Sequence, residues 1–511
     1  MSETQVLVAG AGPTGLVLAL WLTHLGVRVR IIDRTEAPGT TSRALGVQAR
    51  TLELYRQIGL AAPAVAQGLP FAAANLWVRG RRKARAVFGA MGAGISPYPY
   101  MLIFPQDEHE RLLIAFLAAA GVEVERRTEL LGFEDTGGRV LARLRCPDGT
   151  QETCEVAYLA GCDGARSVVR EALHVGFPGG TYAHIFYVAD VKAEGPVMDQ
   201  ELHVALDDAD FLAVFPLRAP GTARLIGMVR PEADARQGQL AWEDVSPRVL
   251  ARLGITIRRV NWFSTYHVHH RVAGRFRQGR AFLLGDAAHI HSPVGGQGMN
   301  TGIGDAVNLA WKLAAVLAGR ADPALLDTYA PERQAFAQQL VATTDRAFTL
   351  ITSSGPIARR VRLEVLPRLM PTLLRLRAMR RLMFRTVSQT LVHYRAGALS
   401  VGRAGRVRGG DRLPWVLNTE GSGTVDNFVP LETLDWQVHV YGEARPALTE
   451  ACARRGVLLH AFPWRRAAQR AGLRRGAAYL VRPDGYVALA DPASNPARLE
   501  AYLDRWALRS R

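Results

Sequence analysis

The sequence predicts an α/β protein with a Rossmann-like domain, an antiparallel β-sheet inserted into it, and a smaller α/β domain at the carboxyl end. Three observations predict this class. Residues 5–32 read as strand, helix and strand, with a Gly-rich turn after the first strand. Strand-like apolar runs dominate residues 176–275, where long helical patterns are scarce. Strands and helices alternate again after residue 405.

Length and composition limit the number of domains and the kinds of partner that can be expected. The 511 residues suffice for two or three domains. The formal net charge is +17, and 60 of the 63 basic residues are arginine. This bias resembles codon composition as much as function, and no nucleic-acid-binding motif accompanies it, so no nucleic-acid partner is expected. Four cysteines without a CxxC pair argue against a disulfide or metal framework and predict reduced, buried thiols.

Membrane and targeting signals are scarce. The first residues enter a strand at once, and no stretch of 18 residues is apolar throughout, so we expect a cytoplasmic protein without an integral membrane segment. Residues 359–385 hold nine arginines against Glu364 alone, interleaved with Leu and Met. This stretch could lie on anionic lipid. Packing within the protein is favoured because Pro367 and Pro371 interrupt the predicted helix.

The chain divides into four parts. Residues 1–175 and 276–345 form one discontinuous dinucleotide-binding domain, and residues 176–275 form the inserted β domain. Residues 346–404 are a helical, Arg-rich connector. Residues 405–511 follow the order strand, helix, strand, hairpin, helix, which resembles a thioredoxin-like domain. Without a CxxC pair, redox chemistry is not expected there.

The first Gly-rich turn, GAGPTG, fits the pattern G-x-G-x-x-G. Gly10 permits the tight turn, Gly12 lets the backbone approach a pyrophosphate, and Gly15 lets helix and strand pack closely. The free amides at the helix start attract the phosphates. Asp33 ends the second strand, where a carboxylate accepts hydrogen bonds from ribose hydroxyls and repels a 2′-phosphate. This site is therefore not built for NADP.

A second motif is CDGARSVVR at residues 162–170. It places Asp163 and Gly164 at a strand end, and Ser167 and Arg170 at a helix start. A lone Asp-Gly pair is usually only a turn. The full spacing D-G-x-x-S-x-x-R between a strand and a helix is more specific and indicates a binding site.

The third motif is GDAAHIHSPVGGQGMN at residues 285–300. Gly285 and Asp286 follow an apolar strand, and an irregular loop at 293–298 leads into a long helix. The free amides of that helix start favour negative charge. They belong to Gly298, Met299 and Asn300.

Five histidines lie in or near this motif, at His267, His269, His270, His289 and His291. The last two have no further ligand at a sensible spacing, so no metal site is expected. The first three lie on a predicted strand, where ordinary sheet positions explain them best.

In this order and at these separations, the three motifs resemble the FAD-dependent aromatic hydroxylases of the para-hydroxybenzoate hydroxylase type, the group A flavoprotein monooxygenases. The segments 42–60, SRALGVQARTLELYRQIGL, and 106–111 strengthen the resemblance, which covers about residues 1–345. The thioredoxin-like tail further resembles the phenol and polyketide hydroxylase branch. The resemblance implies a Rossmann-like FAD-binding domain with an inserted antiparallel β-sheet substrate domain.

One extended FAD molecule would then explain two Gly-rich helix starts. The resemblance places its ADP end on the first motif, its middle near Asp286, and its isoalloxazine ring on the 293–300 loop. The second motif would serve both FAD and NAD(P)H, the latter through Asp163, Ser167 and Arg170. The implied FAD contacts are Gly10, Gly12, Pro13, Thr14, Gly15, Asp33, Arg34, Arg43, Gln106, Arg111, Asp163, Gly164, Gly285, Asp286, Pro293, Gly295, Gly296, Gly298, Met299 and Asn300.

The resemblance also implies a reaction. NADPH or NADH reduces FAD, O2 adds to give a C4a-hydroperoxyflavin, and its distal oxygen passes to a phenolic or polycyclic aromatic, polyketide-like substrate. Because the flavin carries this chemistry, no catalytic side chain is assigned beyond the loop at Pro293, Gly295 and Gly298. Substrate contacts are expected near the β domain, although ordinary packing explains each candidate as well. The candidates are Tyr98, His203, Phe211 and Phe215.

Two other activities remain open from the residues alone. One is a Baeyer–Villiger or epoxidising relative, and the other is an FAD-binding protein without oxygenase activity. The sequence does not name the substrate or choose between NADH and NADPH. It also leaves the oligomeric state open, with a homodimer among the compatible states.

Overall fold

The computed structural model describes residues 4–39, 44–207, 211–229, 240–292, 294–352, 355–420 and 423–510. Its first part holds short strands and six helices. In chain order these are β1 (Val6–Ala9), α1 (Pro13–His24), β2 (Val29–Ile32), β3 (Gly46–Val47), α2 (Ala49–Arg56), α3 (Ala61–Gln67), β4 (Leu69–Phe71), β5 (Ala73–Val78), β6 (Arg81–Val87), α4 (Phe88–Gly92), β7 (Met101–Ile103), α5 (Gln106–Ala119), β8 (Val124–Glu125), β9 (Glu129–Asp135), β10 (Val140–Arg145), β11 (Gln151–Val156), β12 (Tyr158–Gly161) and α6 (Val168–Ala172).

The second part contains the two longest strands and the two longest helices of the described residues. It comprises β13 (Gly179–Glu194), β14 (Leu202–Leu206), β15 (Phe211–Pro216), β16 (Thr222–Met228), α7 (Pro247–Arg252), β17 (Thr256–Val272), β18 (Arg277–Gln278), β19 (Ala281–Leu283), β20 (His289–Ile290), α8 (Gly298–Leu317), α9 (Tyr329–Thr352), α10 (Pro356–Arg360), α11 (Leu366–Arg375) and α12 (Arg377–Val387).

The third part alternates again between strands and helices. It comprises β21 (Val401–Ala404), β22 (Val407–Arg408), β23 (Leu417–Glu420), β24 (Gly423–Asp426), β25 (Gln437–Tyr441), α13 (Pro446–Arg455), β26 (Leu458–Phe462), α14 (Arg466–Ala471), β27 (Ala478–Val481), β28 (Val487–Asp491) and α15 (Pro496–Arg505).

A six-stranded sheet carries the Gly-rich motifs at one edge. Its order is β18-β19-β12-β1-β2-β8, and the central strands β19, β12, β1, β2 and β8 are parallel. The predicted β-α-β start is therefore present, with α1 between β1 and β2. Gly10, Asp33 and Cys162 each follow the carboxyl end of one of these strands. Ligands of open α/β sheets bind in the crevice at such strand ends.

The inserted sheet has eight strands in the order β20-β17-β13-β16-β15-β14-β5-β6. The sequence analysis placed this sheet in residues 176–275 and expected it to be antiparallel. Instead β5 and β6 come from residues 73–87, and β5 pairs with β14 in parallel. The difference arises because strand pairing joins segments far apart in sequence, which alternation along the chain does not report.

The connector is helical from α9 to α12, with a π-helical turn at Val361–Val365. The expectation that prolines break it is wrong in detail. Pro367 lies in the first turn of α11, where its missing N–H costs nothing, and Pro371 lies inside that helix. Residues 388–400 are not helical, contrary to expectation. Within the described ranges, no helix has the length and apolar character needed to span a bilayer.

The last sheet has the order β22-β21-β28-β27-β25-β26. β25 and β26 are parallel, whereas β27 runs antiparallel to both β25 and β28. The predicted order of elements is therefore present from β25 onward, with α14 added before the hairpin. The assignment of this unit as thioredoxin-like stays a prediction.

Buried ion pairs join this unit to helices of the first and second parts. Arg482 donates to Glu332 at 2.7 and 3.1 Å and to Asp484 at 2.6 Å. Glu332 also accepts from Lys312 at 2.9 Å. A second pair links Arg412 to Glu53, again with both side chains buried. A buried charge without its partner is costly, so these pairs fix how the tail sits on α2, α8 and α9.

All four cysteines are free thiols. Cys154 and Cys452 are buried as predicted, whereas Cys146 and Cys162 are only half-buried, so the prediction of burial is wrong for these two. Burial raises the pKa of Cys452 to about 11, which keeps the thiol protonated and unreactive at neutral pH.

Cys452→Ser is therefore expected to keep NAD(P)H-dependent turnover near that of the wild-type protein. A serine hydroxyl fits the same volume, and the buried thiol has no thiolate to contribute. Steady-state kinetics and FAD content measure the outcome. A large loss of turnover with full FAD content would contradict this reading and restore a redox role for the tail.

Candidate cofactor and active site

Two Gly-rich segments that are distant in sequence meet at the starts of α1 and α8. A Cβ on Gly285 would lie 2.6 Å from Thr14 Oγ1, and a Cβ on Gly302 would lie 2.2 Å from the same oxygen. Glycine is required at both positions because Thr14 occupies the space of a side chain. The two helix starts therefore lie side by side.

The three glycines of the first turn differ in their surroundings. Gly10 has φ +104°, and a Cβ there would lie 2.3 Å from Cys162 O; a Cβ on Gly15 would lie 1.9 Å from Gly10 O. The protein itself thus requires both glycines. A Cβ on Gly12 would meet no protein atom within 4 Å. The fold leaves open space at Gly12, which fits the close approach of a ligand phosphate to its backbone.

Both helices begin without a side-chain cap from the residue that precedes them. The residues that precede them, Gly12 for α1 and Gln297 for α8, make no side-chain cap hydrogen bond. First-turn amides have no partner inside a helix, and they carry the positive end of the helix dipole. Two adjacent starts of this kind fit an extended anionic ligand such as FAD.

Asp33 accepts hydrogen bonds from neighbouring protein groups and also lies at this crevice. Its Oδ2 accepts a hydrogen bond from Ala11 N at 2.7 Å, and its Oδ1 accepts from Thr35 N at 2.8 Å and Thr35 Oγ1 at 2.7 Å. A carboxylate offers about four acceptor directions. One direction on Oδ2 therefore remains for a ribose hydroxyl, and Arg34 beside it is exposed.

Two buried polar atoms near the crevice have no partner among the described residues. One is Asp163 Oδ1, whose other oxygen accepts from Val169 N, and burial raises the pKa of this carboxyl. The other is Nη2 of Arg126, whose Nη1 lies 3.9 Å from Asp33 Oδ1. Unsatisfied buried groups are rare, and a bound ligand is one reason for them. Together with the space at Gly12, they make the site compatible with FAD.

Ser167 and Arg170 are both engaged by the protein itself. Ser167 is fully buried and caps α6 by accepting from Arg170 N at 3.0 Å. The guanidinium of Arg170 donates to Ala287 O and Ala165 O, and it covers the ring of Phe177 at 4.0 Å. These two side chains therefore have a structural role, and their NAD(P)H contact stays a prediction. They tie the second motif to the Gly285–Ala287 turn.

The loop before α8 makes its turn at two glycines. Gly295 and Gly296 have φ of +79° and +61°, and both are exposed. Gly298 has no positive φ, and a Cβ there would make only an ordinary contact, at 3.6 Å from His291 Nε2. The strained backbone conformation therefore lies at Gly295 and Gly296, where φ is open to glycine and rarely to other residues.

Polar side chains hold this loop in place. Asn300 Oδ1 accepts from Gln48 N at 2.8 Å and from Thr51 Oγ1 at 2.7 Å, while its amide group donates to Gly296 O at 2.9 Å. The predicted cofactor contact of Asn300 is thus limited to its backbone, because the side chain is engaged. Gln48 Nε2 donates to Gly295 O at 3.0 Å.

The connector reaches the same loop. Gln297 Nε2 donates to Val387 O at 2.8 Å, at the end of α12, and Gln389 Nε2 donates to Gln297 Oε1 at 2.7 Å. Sequence reasoning missed Gln48, Gln297 and Gln389 as supports of the loop. The first two lie inside segments already singled out, but no pattern around Gln389 marks it.

Other predicted contacts lie at the margins or outside the described residues. Arg111 is exposed and pairs with Asp107 at 2.9 Å, one turn earlier on α5, so its predicted FAD contact is not supported. Gln106 Nε2 donates to Glu110 at 2.8 Å. Asp286 is exposed in the turn after β19. Arg43 and Pro293 fall outside the described residues.

Pro13, Gly164 and Met299 occupy the expected positions. Pro13 is the first residue of α1, Gly164 has φ +78° in the turn after β12, and Met299 lies half-buried in the first turn of α8.

The histidines of the third motif have different environments. His289 Nε2 and Arg333 bind the same buried carboxylate, that of Asp305, at 2.7 and 2.6 Å. His291 Nδ1 donates to Ser292 O at 2.7 Å, which leaves its Nε2 as a buried acceptor without a described partner. Burial lowers the pKa of His291 to about 4, so the ring is neutral at neutral pH. Among the described residues no cluster of His, Cys, Asp or Glu is placed to hold a metal ion.

The predicted substrate contacts divide between the two faces of the eight-stranded sheet. Phe211 and Phe215 alternate along β15 with Leu212 and Val214, which pack into the core on the opposite face. His203 pairs with Val214 across the strands and therefore lies on that opposite face. It is buried between Trp77 Nε1 at 2.9 Å and Asp199 Oδ1 at 2.7 Å, so these contacts do not support its predicted substrate contact.

The face of Phe215 adjoins the Gly-rich loop through one apolar cluster. We call it the loop-side cluster; it includes Tyr98, Phe215, Phe384 and Ala49, which directly follows Gln48. Burial raises the pKa of Tyr98 to about 12, so its hydroxyl is protonated at neutral pH. An apolar, aromatic region thus lies next to the loop at Gly295 and Gly296.

Comparison with known protein families agrees with this arrangement. A profile of an FAD binding domain matches residues 3–344, and a profile of the aromatic-ring hydroxylase C-terminal region matches residues 409–509. The chain belongs to the FAD-dependent aromatic hydroxylases. This aromatic hydroxylase is accordingly an FAD-dependent monooxygenase, and its mixed α/β fold is that of the family.

Relatives match this aromatic hydroxylase over nearly its whole length. The 6-methylpretetramide 4-monooxygenase of Streptomyces rimosus is 36% identical over 98% of this chain and 93% of its own. The structure of anhydrotetracycline hydroxylase from Streptomyces rimosus has a TM-score of 0.77 at 31% identity, covering 99% of both chains. That of aklavinone-11 hydroxylase with FAD and aklavinone has a TM-score of 0.76 at 27% identity, covering 98% of both.

Proposed function

We propose that this FAD-dependent monooxygenase uses NAD(P)H and O2 to hydroxylate a phenolic or polycyclic aromatic, polyketide-like substrate. The observation that carries the proposal is the position of the loop-side cluster. Its aromatic and aliphatic side chains adjoin the glycine loop at the start of α8, so an apolar ring system would lie beside the cofactor. The named substrates of the relatives, 6-methylpretetramide, anhydrotetracycline and aklavinone, support the substrate class.

The residues around α1 would hold the ADP end of FAD. The open space at Gly12 admits the pyrophosphate to the first-turn amides, and the remaining acceptor direction of Asp33 would take a ribose hydroxyl. Arg126 Nη2 would supply a further donor near Asp33, and Asp163 Oδ1 a further acceptor. FAD, when bound, supplies the redox and oxygen chemistry of the reaction.

The residues around α8 would orient the reacting end. The amides of Gly298, Met299 and Asn300 favour negative charge at the helix start. His291 Nε2 would accept a hydrogen bond beside that start, because the ring is neutral and Nε2 carries the lone pair. The loop-side cluster would exclude water from the reacting atoms and align the aromatic ring, which is what the protein contributes to this reaction.

The division of labour along the chain is part of the proposal. Residues 1–175 and 276–345 would bind FAD, and the inserted sheet, completed by β5 and β6, would cover the substrate. The thioredoxin-like tail would brace α2, α8 and α9 through its buried ion pairs. A cytoplasmic location fits an enzyme that uses the soluble co-substrate NAD(P)H.

The test is cofactor-dependent, substrate-stimulated turnover. The purified protein should be yellow and hold one FAD per chain, and phenols or polycyclic quinones should stimulate NAD(P)H oxidation and O2 uptake, with an added hydroxyl in the product. NADH and NADPH are compared in parallel. Bound FAD without any stimulated O2 uptake across the panel would refute the hydroxylase and favour a non-oxygenating FAD protein; ester or epoxide products would favour the other oxygenases.

Phe215→Leu is expected to raise KM for the aromatic substrate and to divert NAD(P)H oxidation to hydrogen peroxide. The lost ring removes an aromatic contact worth about 0.5–1.5 kcal/mol, or roughly 2- to 12-fold in KM. Phe263→Leu is the matched control, since Phe263 packs on the opposite face of the sheet. Equal effects of the two variants on KM and coupling would show that the loop-side face does not hold the substrate.

A further inference from the structure

The outer surface of the connector carries an unusual combination of exposed side chains. Ten large apolar residues are exposed in the described part of the chain, and five of them lie within residues 357–382. We call these five the connector row: Ile357, Val365, Leu369, Leu376 and Leu382. Ile357 is 80% exposed and Leu376 is 55% exposed. Residues 357–382 also hold most of the nine arginines counted in residues 359–385. The one acidic residue in that range is Glu364.

The apolar and basic side chains run side by side along α11 and its C-cap residue, Leu376. Leu369 and Leu376 are seven residues apart, which is about two helical turns, and both are exposed. Arg368 and Arg375 are also seven residues apart and exposed, one position earlier on the helix. Two parallel strips therefore face solvent together. Arginine can keep its charge in a polar layer while its stem lies along apolar material.

The connector is a fixed part of the fold and not a loose segment. Leu363 and Phe384 are buried, and a Cβ on Gly92 would lie 2.6 Å from the ring of Phe384. The packing expected for this stretch is therefore present on its inner side. The residues of the connector row do not take part in that packing and remain exposed.

We infer that the connector row is a docking surface for an anionic lipid bilayer. Separate exposed apolar side chains on helices, flanked by arginines, can insert into the headgroup boundary without a preformed groove. The positive charge complements the anionic headgroups. An acidic protein partner would instead need a complementary surface that buries on the order of 1,000 Å².

Docking in this way would turn the substrate side of the enzyme toward the bilayer. The inner side of α12 contributes Phe384, Met383 and Val387 to the loop-side cluster, while Leu382 on the same helix belongs to the connector row. An apolar polycyclic substrate dissolved in lipid would then reach the cluster from the membrane. This consequence rests on the proposed function, whereas bilayer binding does not.

The experiment is sedimentation of the FAD-loaded full-length protein with vesicles. Vesicles of phosphatidylcholine mixed with phosphatidylglycerol are compared with pure phosphatidylcholine. The wild-type protein should sediment with the anionic vesicles, less so as salt is added, and remain in solution with the neutral ones. Each arginine near an anionic surface contributes about fivefold to partitioning, so Arg368→Gln/Arg375→Gln should bind roughly 25-fold more weakly.

Matched controls separate this surface from general charge and folding. Arg466→Gln/Arg470→Gln removes two exposed arginines from α14 and leaves the same net charge. Leu369→Ser/Leu376→Ser is compared with Val425→Ser/Leu458→Ser, which are also exposed. Only the connector variants should lose vesicle binding, and all four should keep FAD content and turnover in solution. Equal losses in control and connector variants, or no binding of the wild-type protein to anionic vesicles, would overturn the inference; retention on an immobilised acidic polypeptide without vesicle binding would assign the surface to a protein partner.

Discussion

Gly12→Ala is expected to fold like the wild-type protein and to lose most of its affinity for FAD. The added methyl group meets no protein atom within 4 Å, so the fold has room for it. The same methyl would occupy the space through which a phosphate approaches the first-turn amides of α1. Losing one charge-assisted hydrogen bond, worth about 1.5–3 kcal/mol, would weaken FAD binding by roughly 10- to 150-fold. Flavin fluorescence titration of the apoprotein measures the change.

Two further variants make this result specific. Gly89→Ala also places its methyl in open space, but on α4, and it should leave FAD affinity unchanged. In Gly15→Ala the methyl would lie 1.9 Å from Gly10 O, so the protein must shift and should lose thermal stability even without FAD. Wild-type FAD affinity in Gly12→Ala would place the pyrophosphate elsewhere and refute the site at α1.

Arg482→Met is expected to destabilise the protein by about 3–5 kcal/mol, the usual cost of removing one partner of a buried ion pair. Arg482 is 1% exposed and binds two carboxylates, those of Glu332 and Asp484. Burial by itself would raise the pKa of Glu332, but Arg482 and Lys312 hold it down to about 2. The carboxylate therefore stays charged, and without Arg482 its charge is only partly compensated.

Urea-induced unfolding of the full chain measures this effect. Arg454→Met is the control, because Arg454 pairs with Glu500 at 2.9 Å on the surface, where a pair contributes about 1 kcal/mol or less. If Arg482→Met unfolds at the wild-type urea concentration, the ion pairs do not hold the tail on α8 and α9. The tail would then need another explanation for its place in the fold.

Much of the fold and of the cofactor site could be predicted from short stretches of sequence. The first β-α-β unit follows from local periodicity, and the places of Gly10 and Gly15 follow from the turn and the close packing that only glycine allows. The three motifs also identified the family, because each motif is a short continuous stretch of the sequence. Each of these signals depends on neighbours in sequence.

Side-chain roles that depend on distant neighbours could not be predicted in this way. From the sequence alone, His203 and Phe215 are equally good candidates for substrate contact. The pairing of β14 with β15 places them on opposite faces of the sheet. The sequence predicts that Asn300 contacts a ligand. In the structure its side chain is hydrogen-bonded to Gln48 and Thr51, which lie about 250 residues earlier in the chain.

The sequence by itself therefore determined the class of protein and the cofactor, and it predicted the segments that would bind that cofactor. Only the tertiary structure decided which side chains are engaged by the protein and which stay exposed, as with Arg170 held by Ala287 O and the connector row exposed along α10 to α12. The physical reason is that a motif encodes backbone geometry through local sterics. Burial and hydrogen-bond partners are set by segments that meet only when the chain has folded.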